Sequence, residues 1–199
     1  MTTAQPISSV TDEPTLRTTP SPRACELIGM NARTLDGVLL RGVRPDLDAL
    51  VGWEFRGINT PAWAKLAGIK KFVKGFFRTD DGQVMGYNCP VVQDGLELPW
   101  RTKPSNHAPK RFGFYTVDPT DPTARDNAYL HAVLLDYSRG GNPATDPSRG
   151  LRDYLVQVDS NNPDLYLGKA YFALGPARLS VSFFVLERDR RAQGCVIRP

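Results

Sequence analysis

The feature that most constrains this chain is a succession of short β-rich runs, which begins near residue 51 and continues almost to the C-terminus. Each run is rich in β-branched and aromatic residues and stops at turn-forming residues, as β-strands do. The eight predicted strands are Val51–Ile58, Lys70–Arg78, Gln83–Val92, Arg111–Asp118, Tyr129–Tyr137, Leu151–Asp159, Leu165–Leu174 and Leu179–Arg188. The chain is therefore expected to be mainly β.

Several connections between these strands are short and rich in hairpin residues. Asp80-Asp81-Gly82 separates the second strand from the third, and Gly175-Pro176 separates the last two. Such short connections favour antiparallel neighbours. Eight antiparallel strands either form a sandwich or close on themselves, and closure removes exposed edges. We therefore predict a single eight-stranded antiparallel barrel, whose interior is either filled or holds one small ligand.

The segments outside the strands are short. Residues 1–23 are rich in Thr, Ser and Pro and are predicted to form a disordered tail. The barrel domain is expected to cover residues 24–199. An apolar residue at every third or fourth position over 33–50 predicts two short helical turns. A further short helix is predicted over 61–67, after the first strand, with Thr60 as its N-cap.

Composition argues against several classes of protein. The net charge is +4, from 25 Lys and Arg against 21 Asp and Glu, and this mild basicity does not indicate a nucleic-acid-binding tail. The first thirty residues contain no signal-peptide core, and no apolar stretch approaches ~18 residues. We therefore predict a cytoplasmic protein.

No motif for a metal or a cofactor stands out. The cysteines Cys25, Cys89 and Cys195 are widely separated and form no CxxC pair, so neither a disulfide framework nor a zinc site is expected. The sequence contains no GxxxxGK[ST], GxGxxG or GxSxG motif, which leaves nucleotide binding and a hydrolase triad without support. No cofactor is predicted.

The most charge-biased stretch is 61–78, PAWAKLAGIKKFVKGFFR, which carries five basic and no acidic residues. Basic and aromatic residues together can indicate a membrane surface, but on a helical plot Lys70 and Lys74 fall beside Trp63 and Phe77. We therefore do not expect membrane contact. The preferred interpretation is a short helix that leads into a strand whose lysines face water. At a barrel mouth, such a strip could attract an anionic ligand.

Five segments in order along the chain resemble a known group. They are Val51–Gly57 (VGWEFRG), Leu134–Tyr137 (LLDY), Leu151–Asp159 (LRDYLVQVD), Tyr166–Lys169 (YLGK) and Phe183–Arg188 (FFVLER). Together they are similar to the lipocalin-like GXWXG proteins and to the domain paired with them, over about residues 50–188. The first segment departs from the pattern, because Gly52 is followed directly by Trp53.

The resemblance implies a lipocalin-like, or calycin-like, barrel that binds a hydrophobic ligand, and it implies no established reaction. In the wider lipocalin group, a Trp on the first strand packs near an Arg at the end of the last strand and closes the barrel floor. By this resemblance, Trp53 and Arg188 are structural residues.

Some polar side chains share a strand face with apolar ones, which a dry core tolerates only when they are paired. Lys169 lies on the same strand face as Leu167 and Tyr171, and His131 lies on the same strand face as Tyr129. Both could orient a polar group of a ligand. The alternatives are that Lys169 faces solvent and that His131 is a structural histidine. The predicted ligand-binding residues are Tyr87, Tyr115, His131, Lys169, Tyr171 and Phe183.

Three functions remain open from the sequence. The first is non-catalytic binding of a small, mostly hydrophobic molecule in the barrel. The second is a cofactor-independent isomerase or cyclase that acts on a hydrophobic substrate, with one acid or base from His131, Asp136, Lys169 or Tyr171. The third is a barrel used as a partner-binding surface. The ligand and the oligomeric state are not specified by the sequence.

Overall fold

The computed structural model describes residues 19–193 and contains one closed antiparallel barrel. Each strand pairs with the next along the chain, and the eighth pairs with the first. This confirms the predicted mainly β, eight-stranded barrel. The strands are β1 Trp53–Asn59, β2 Lys71–Arg78, β3 Val84–Pro90, β4 Phe112–Pro119, β5 Val133–Asp136, β6 Leu151–Gln157, β7 Leu165–Leu174 and β8 Ala177–Arg191.

Four short α-helices accompany the barrel. They are α1 Pro22–Gly29, α2 Ala32–Arg41, α3 Leu47–Leu50 and α4 Trp63–Leu66, and two 3-10 helices cover Tyr137–Arg139 and Pro147–Gly150. Helices α2 and α3 lie in the segment predicted to be helical. Helix α1 was not predicted, and its first two residues fall within the proposed tail. Residues 1–18 of that tail lie outside the described part of the chain. No helix in the described part is long and apolar enough to cross a membrane.

Two local predictions need correction. The predicted strand Tyr129–Tyr137 is strand only from Val133, because the preceding residues form a turn. The predicted N-cap at Thr60 is wrong: its hydroxyl donates instead to the Phe183 carbonyl oxygen, at 3.1 Å, and α4 begins at Trp63 without a capping side chain. In both places a tertiary contact or a tight turn overrides the local sequence preference.

Both faces of the strands are covered by apolar groups. Helices α1 and α2 pack on the outer face of β6–β8, where Leu27 and Leu39 are buried in a cluster with Val185. On the other side of the barrel, Trp100 joins an outer cluster with Tyr87 and other residues of β2–β4. The strands are therefore apolar on both faces, and simple alternation does not reveal which residues point inward.

One end of the barrel is filled by aromatic side chains. Phe55 packs edge-to-face against Phe76 and Tyr166, with ring centroids 5.5 and 5.4 Å apart. At the same end, the guanidinium carbon of Arg188 lies 4.4 Å from the centroid of the Trp53 ring. This is the geometry of a cation–π contact, and it helps to exclude water from the floor of the barrel.

Two glycines in the barrel wall make room for large rings inside. A Cβ atom added to Gly168 would lie 2.1 Å from the Phe184 ring, and one added to Gly86 would lie 2.3 Å from the Tyr115 ring. Only glycine permits so close an approach of a ring to the backbone. Phe184 and Tyr115 can therefore lie flat against the inner wall.

Candidate functional site

A cavity of about 340 Å³ opens at the end of the barrel opposite to the Trp53–Arg188 contact. Its rim includes the exposed apolar side chains of Trp63, Ile69, Phe112 and Val181. This volume lies at the lower end of the range of small-molecule sites, and most of the wall is apolar. The cavity is large enough for one small ligand.

The polar side chains deep in the cavity form a connected group. Lys74 Nζ donates hydrogen bonds to Asn88 Oδ1, at 2.9 Å, and to the Tyr137 hydroxyl. It also forms a salt bridge with Asp153 Oδ2, at 3.2 Å. The Tyr137 hydroxyl in turn donates to Asp153 Oδ2, at 2.9 Å. We call Lys74, Asn88, Tyr137 and Asp153 the Lys74 cluster.

The strand register explains why these four residues meet. Lys74 faces Asn88 directly across the β2–β3 pair. Asp153 lies opposite Leu135 of β5, and Tyr137 follows two positions later, on the same side of the chain. Closure of the barrel brings β5 and β6 across the interior from β2. The cluster therefore depends on a closed sheet and not on any local motif.

The ammonium group of Lys74 is surrounded by aromatic rings. Its Nζ lies 4.6 Å from the ring centroid of Tyr115, 5.1 Å from that of Tyr137 and 5.3 Å from that of Phe184. The Lys74 residue is only 2% exposed. A charge so deeply buried costs several kcal/mol of desolvation unless nearby groups compensate it, and here the rings, Asp153 and two hydrogen bonds do so.

Burial changes the protonation behaviour of this cluster. Desolvation lowers the pKa of Lys74, although the Asp153 carboxylate opposes part of that effect. Desolvation also raises the pKa of the Tyr137 phenol well above its ordinary value, and the charge of Asp153 adds to this rise. Tyr137 thus remains a protonated hydrogen-bond donor at neutral pH.

The second oxygen of Asp153 has an unused hydrogen-bonding capacity. Oδ1 is buried and accepts no hydrogen bond from the residues that the structure describes, whereas Oδ2 binds both Lys74 and Tyr137. Buried polar atoms usually have a partner, so an unpartnered oxygen beside a cavity calls for an explanation. A ligand or a water molecule that donates a hydrogen bond would satisfy it.

Of the predicted ligand-binding residues, Tyr115 is placed in the inner core. Tyr87 lies on the outer face, where its hydroxyl donates to Glu54 Oε1 at 2.9 Å. Phe183 is also on the outer face, in the cluster covered by α1 and α2. None of the three lines the cavity described above, although the Tyr115 ring contacts the Lys74 ammonium behind it.

The predicted polar anchors form a separate group under α2. Lys169 Nζ pairs with Asp36 of α2, at 2.5 Å, and donates to the Tyr129 hydroxyl at 3.1 Å. The Tyr171 hydroxyl lies 3.1 Å from that of Tyr129. Nε2 of His131 is 2.9 Å from the Leu39 carbonyl oxygen. These contacts attach α2 to the barrel and lie outside the cavity.

The remaining catalytic candidate, Asp136, has a local structural role. Its carboxylate lies 3.2 Å from Arg152 and accepts a hydrogen bond from the Ser138 backbone nitrogen at 2.8 Å. It caps the 3-10 helix that carries Tyr137. Asp136 thus positions Tyr137, which lines the cavity, but does not line the cavity itself.

The prediction that the lysines of 61–78 face water is wrong for two of them. Lys65 is exposed, but Lys71 is buried against Asp94, at 2.5 Å, and Lys74 is inside the barrel. The local pattern contains a signal for Lys74, because it stands between Phe72 and Phe76 at strand spacing.

None of the Lys74 cluster belongs to the site predicted from the sequence. Asn88 and Asp153 show the same signal as Lys74. Each is a polar residue on a strand face whose other residues are mostly apolar or small and point into the barrel. Because both faces of the strands are apolar, this signal does not separate the cavity from the outer clusters without the tertiary structure.

The site offers no obvious metal centre. Within residues 19–193, no three His, Cys, Asp or Glu side chains lie together in a way that could hold a metal ion. Cys25 and Cys89 are free thiols, and Cys195 lies outside this range. The Lys74 cluster itself offers an amine, a carboxylate, a phenol and an amide.

Comparison with models of known protein families finds no match, and comparison with curated proteins finds none either. Membership of the lipocalin-like GXWXG group stays a prediction from the sequence.

Proposed function

We propose that this protein binds one small, mostly hydrophobic molecule in the barrel cavity, with a polar group of the ligand at the Lys74 cluster. The observation that carries this proposal is the connected group of hydrogen-bonding side chains around Lys74, deep in a largely apolar cavity of about 340 Å³. Ligand sites commonly combine an apolar wall with a few converging polar groups.

The polarity of the cluster indicates which ligand group fits. Lys74 and the Tyr137 hydroxyl supply donors, and Asp153 Oδ1 is a free acceptor. A hydroxyl or carbonyl group matches this set better than a carboxylate, because a second carboxylate would be repelled by Asp153. The ligand class we favour is a small apolar alcohol or carbonyl compound.

The test is native mass spectrometry of the purified full chain, followed by denaturation and organic extraction. A substitution that fills the cavity, Ala170→Phe, serves as the blocked variant, because Ala170 lines the cavity. Ala173→Phe on the same strand is the matched control, because Ala173 does not line it. Cinnamyl alcohol is the added probe, and its binding is measured by calorimetric titration.

We expect the wild-type protein and Ala173→Phe to bind the probe, or to retain an apolar passenger at near-equal stoichiometry. Ala170→Phe should lose about tenfold or more in affinity. Equal retention by both variants would place binding elsewhere and contradict the proposal.

A second candidate function is a proton-transfer enzyme of the isomerase type. It is favoured by one observation, namely that a carboxylate and a buried, protonated phenol lie side by side deep in the cavity. Asp153 would act as the base and Tyr137 as the donor to a carbonyl oxygen. The test is exchange of the α-protons of 2-tetralone in heavy water, followed by nuclear magnetic resonance. Asp153→Asn should abolish any enhancement of this exchange.

A further inference from the structure

We propose that Lys74 forms a Schiff base with a small conjugated aldehyde in the cavity. This inference rests on the proposed function, because it uses the same cavity, and it adds a covalent step and a chemical class of ligand.

Among the nucleophiles that line the cavity, the Lys74 amine is the best placed; Cys89 also lines it, but burial raises the pKa of its thiol to about 12. Lys74 lines the cavity, and its Nζ is held by three side-chain partners on three different strands or segments. The buried environment lowers the pKa of this amine, which increases the fraction of the reactive neutral form. Lys71 and Lys103 also line the cavity, but Lys71 Nζ is bound to Asp94 in the loop after β3, and Lys103 is exposed at the rim.

Asp153 and Tyr137 can complete the proton transfers. Asp153 Oδ2, 3.2 Å from Nζ, accepts a proton from the ammonium group, and the neutral amine then attacks the aldehyde carbon. Asp153 returns this proton to the former carbonyl oxygen. Tyr137 supplies the second proton to that oxygen and regains one from the nitrogen of the carbinolamine, and the oxygen leaves as water. One C=N bond replaces the C=O bond, and two of the three ammonium hydrogens depart in the water. The product is a protonated imine with Asp153 as its counterion.

The rings around Nζ suit a conjugated product. The centroids of Tyr115, Tyr137 and Phe184 lie between 4.6 and 5.3 Å from Nζ. Aromatic faces stabilise a nearby cation, and they also stack against a planar unsaturated chain. A conjugated iminium spreads its charge along that chain, where more of the aromatic wall can contact it. The burial of Lys74, which is 2% exposed, would limit the access of water and slow hydrolysis of the imine.

The experiment incubates the full-length protein with cinnamaldehyde and reduces any imine with borohydride. Intact mass spectrometry then detects an increment equal to the mass of the aldehyde minus one oxygen, and peptide mapping locates the modified residue. Before reduction, a protonated conjugated imine shifts the absorbance of the probe to longer wavelength. We expect one adduct per chain, on Lys74, with this red shift.

The matched variants separate this chemistry from simple binding. Lys74→Arg keeps the charge but cannot form an imine, so the adduct and the red shift should both be lost. Lys65→Arg changes an exposed lysine outside the cavity and should leave both unchanged. If Lys74→Arg fails to fold, the peptide map of the wild-type protein still decides which lysine reacts.

Cinnamyl alcohol, which cannot form an imine, distinguishes the two proposals. Binding of the alcohol without an adduct from the aldehyde would overturn the Schiff-base inference and leave the binding function intact. An adduct spread over exposed lysines, and unchanged in Lys74→Arg, would overturn it as well. Absence of binding by both probes would count against the proposed function and this inference together.

Discussion

At the scale of single residues, the site depends on a buried ion pair in a cavity. Lys74 and Asp153 are 2% and 3% exposed, and each is the principal opposite charge for the other. Well-packed apolar residues often stabilise a core as much as such a pair does. Its presence beside a cavity, where packing is already incomplete, therefore favours a functional role over a purely structural one.

A double-mutant cycle tests this coupling. Lys74→Met should destabilise the fold by about 3–5 kcal/mol, because it leaves the Asp153 carboxylate buried without its cation. Asp153→Asn should cost less, since Lys74 can lose its proton instead. The double variant should regain much of the loss, as measured by urea unfolding monitored by circular dichroism. Strictly additive effects would show that the two side chains do not interact.

The buried phenols give a pH-dependent signature. Burial raises the pKa of Tyr115 and Tyr137 well above the ordinary value and that of Tyr166 to about 12. Above about pH 10 the unfolded chain loses phenolic protons that the native chain retains, so the unfolded state binds fewer protons. These residues therefore make the free energy of unfolding fall as the pH rises through this range.

The measurement is an ultraviolet titration of tyrosinate in native and urea-unfolded protein, together with urea unfolding at several alkaline pH values. Native tyrosinate absorbance should lag behind that of the unfolded chain. The lowered pKa of Lys74 acts in the opposite direction, so Lys74→Met should steepen the fall. Coincident titration curves for the two states would contradict the expectation.

At the scale of single elements, the strands shape the cavity through the glycines of their walls. Gly168 of β7 lies under the Phe184 ring, and a Cβ atom there would require the ring to move. Phe184 lines the cavity and contacts the Lys74 ammonium, so its position affects both the volume and the charge environment. One methyl group added to the wall at Gly168 should therefore change the volume of the cavity and the surroundings of Lys74.

Gly168→Ala tests this relation. The added methyl group should push Phe184 toward the cavity, reduce the affinity for cinnamyl alcohol and cost about 1–3 kcal/mol of stability. Gly29→Ala is the control, because a Cβ atom at Gly29 would meet nothing within 4 Å. Calorimetric titration and thermal unfolding of both variants are the measurements. Unchanged affinity in Gly168→Ala would show that Phe184 does not define the site.

The helices contribute by covering the outer face of β6–β8. Leu27 of α1 is fully buried there, whereas Leu40 of α2 is 62% exposed. Leu27→Ala should destabilise the protein by about 2–5 kcal/mol through the lost burial and the cavity left behind. Leu40→Ala should stay within about 0.5 kcal/mol of the wild-type protein. Denaturant unfolding of the two variants compares these costs, and equal losses would show that α1 is not packed as described.

At the scale of the whole molecule, the closed barrel has one end filled by aromatic side chains and one end that contains the cavity. The aromatic floor around Phe55 and the cavity around Lys74 belong to the same eight strands, so neither half has a complete sheet without the other. Much of the packing is between residues far apart in sequence, as the pairing of β1 with β8 shows. Such a structure is expected to unfold as a unit.

The three tryptophans report on this cooperativity from different places. Trp53 lies at the floor, Trp63 at the cavity rim and Trp100 in the outer cluster beside β2–β4. Single-tryptophan variants should give the same urea midpoint, which also matches the midpoint measured by far-ultraviolet circular dichroism. A separate transition at Trp63 or Trp100 would show that the rim or the outer loop unfolds independently.

The sequence by itself determined the mainly β class, the eight strands and their antiparallel order, because turn residues and β-rich runs are local signals that mark each strand. It also indicated α2 and α3 through their helical spacing. It did not indicate α1, and most of the residues that it proposed for the site lie outside the cavity around Lys74. Lys169 and Tyr171 carry the same alternating pattern as Lys74, yet they face α2 instead of the cavity.

Only the tertiary structure decided which strand face points inward. Helices and a loop bury parts of the outside of this barrel, so both faces of the strands are apolar. Alternation of apolar and polar residues along a strand therefore does not show which face points inward. The Lys74 cluster is assembled from β2, β3, β6 and the residue after β5, and no local stretch of sequence contains more than one of its members. Barrel closure creates the site, because a long-range contact between strands has no counterpart in local sequence preferences.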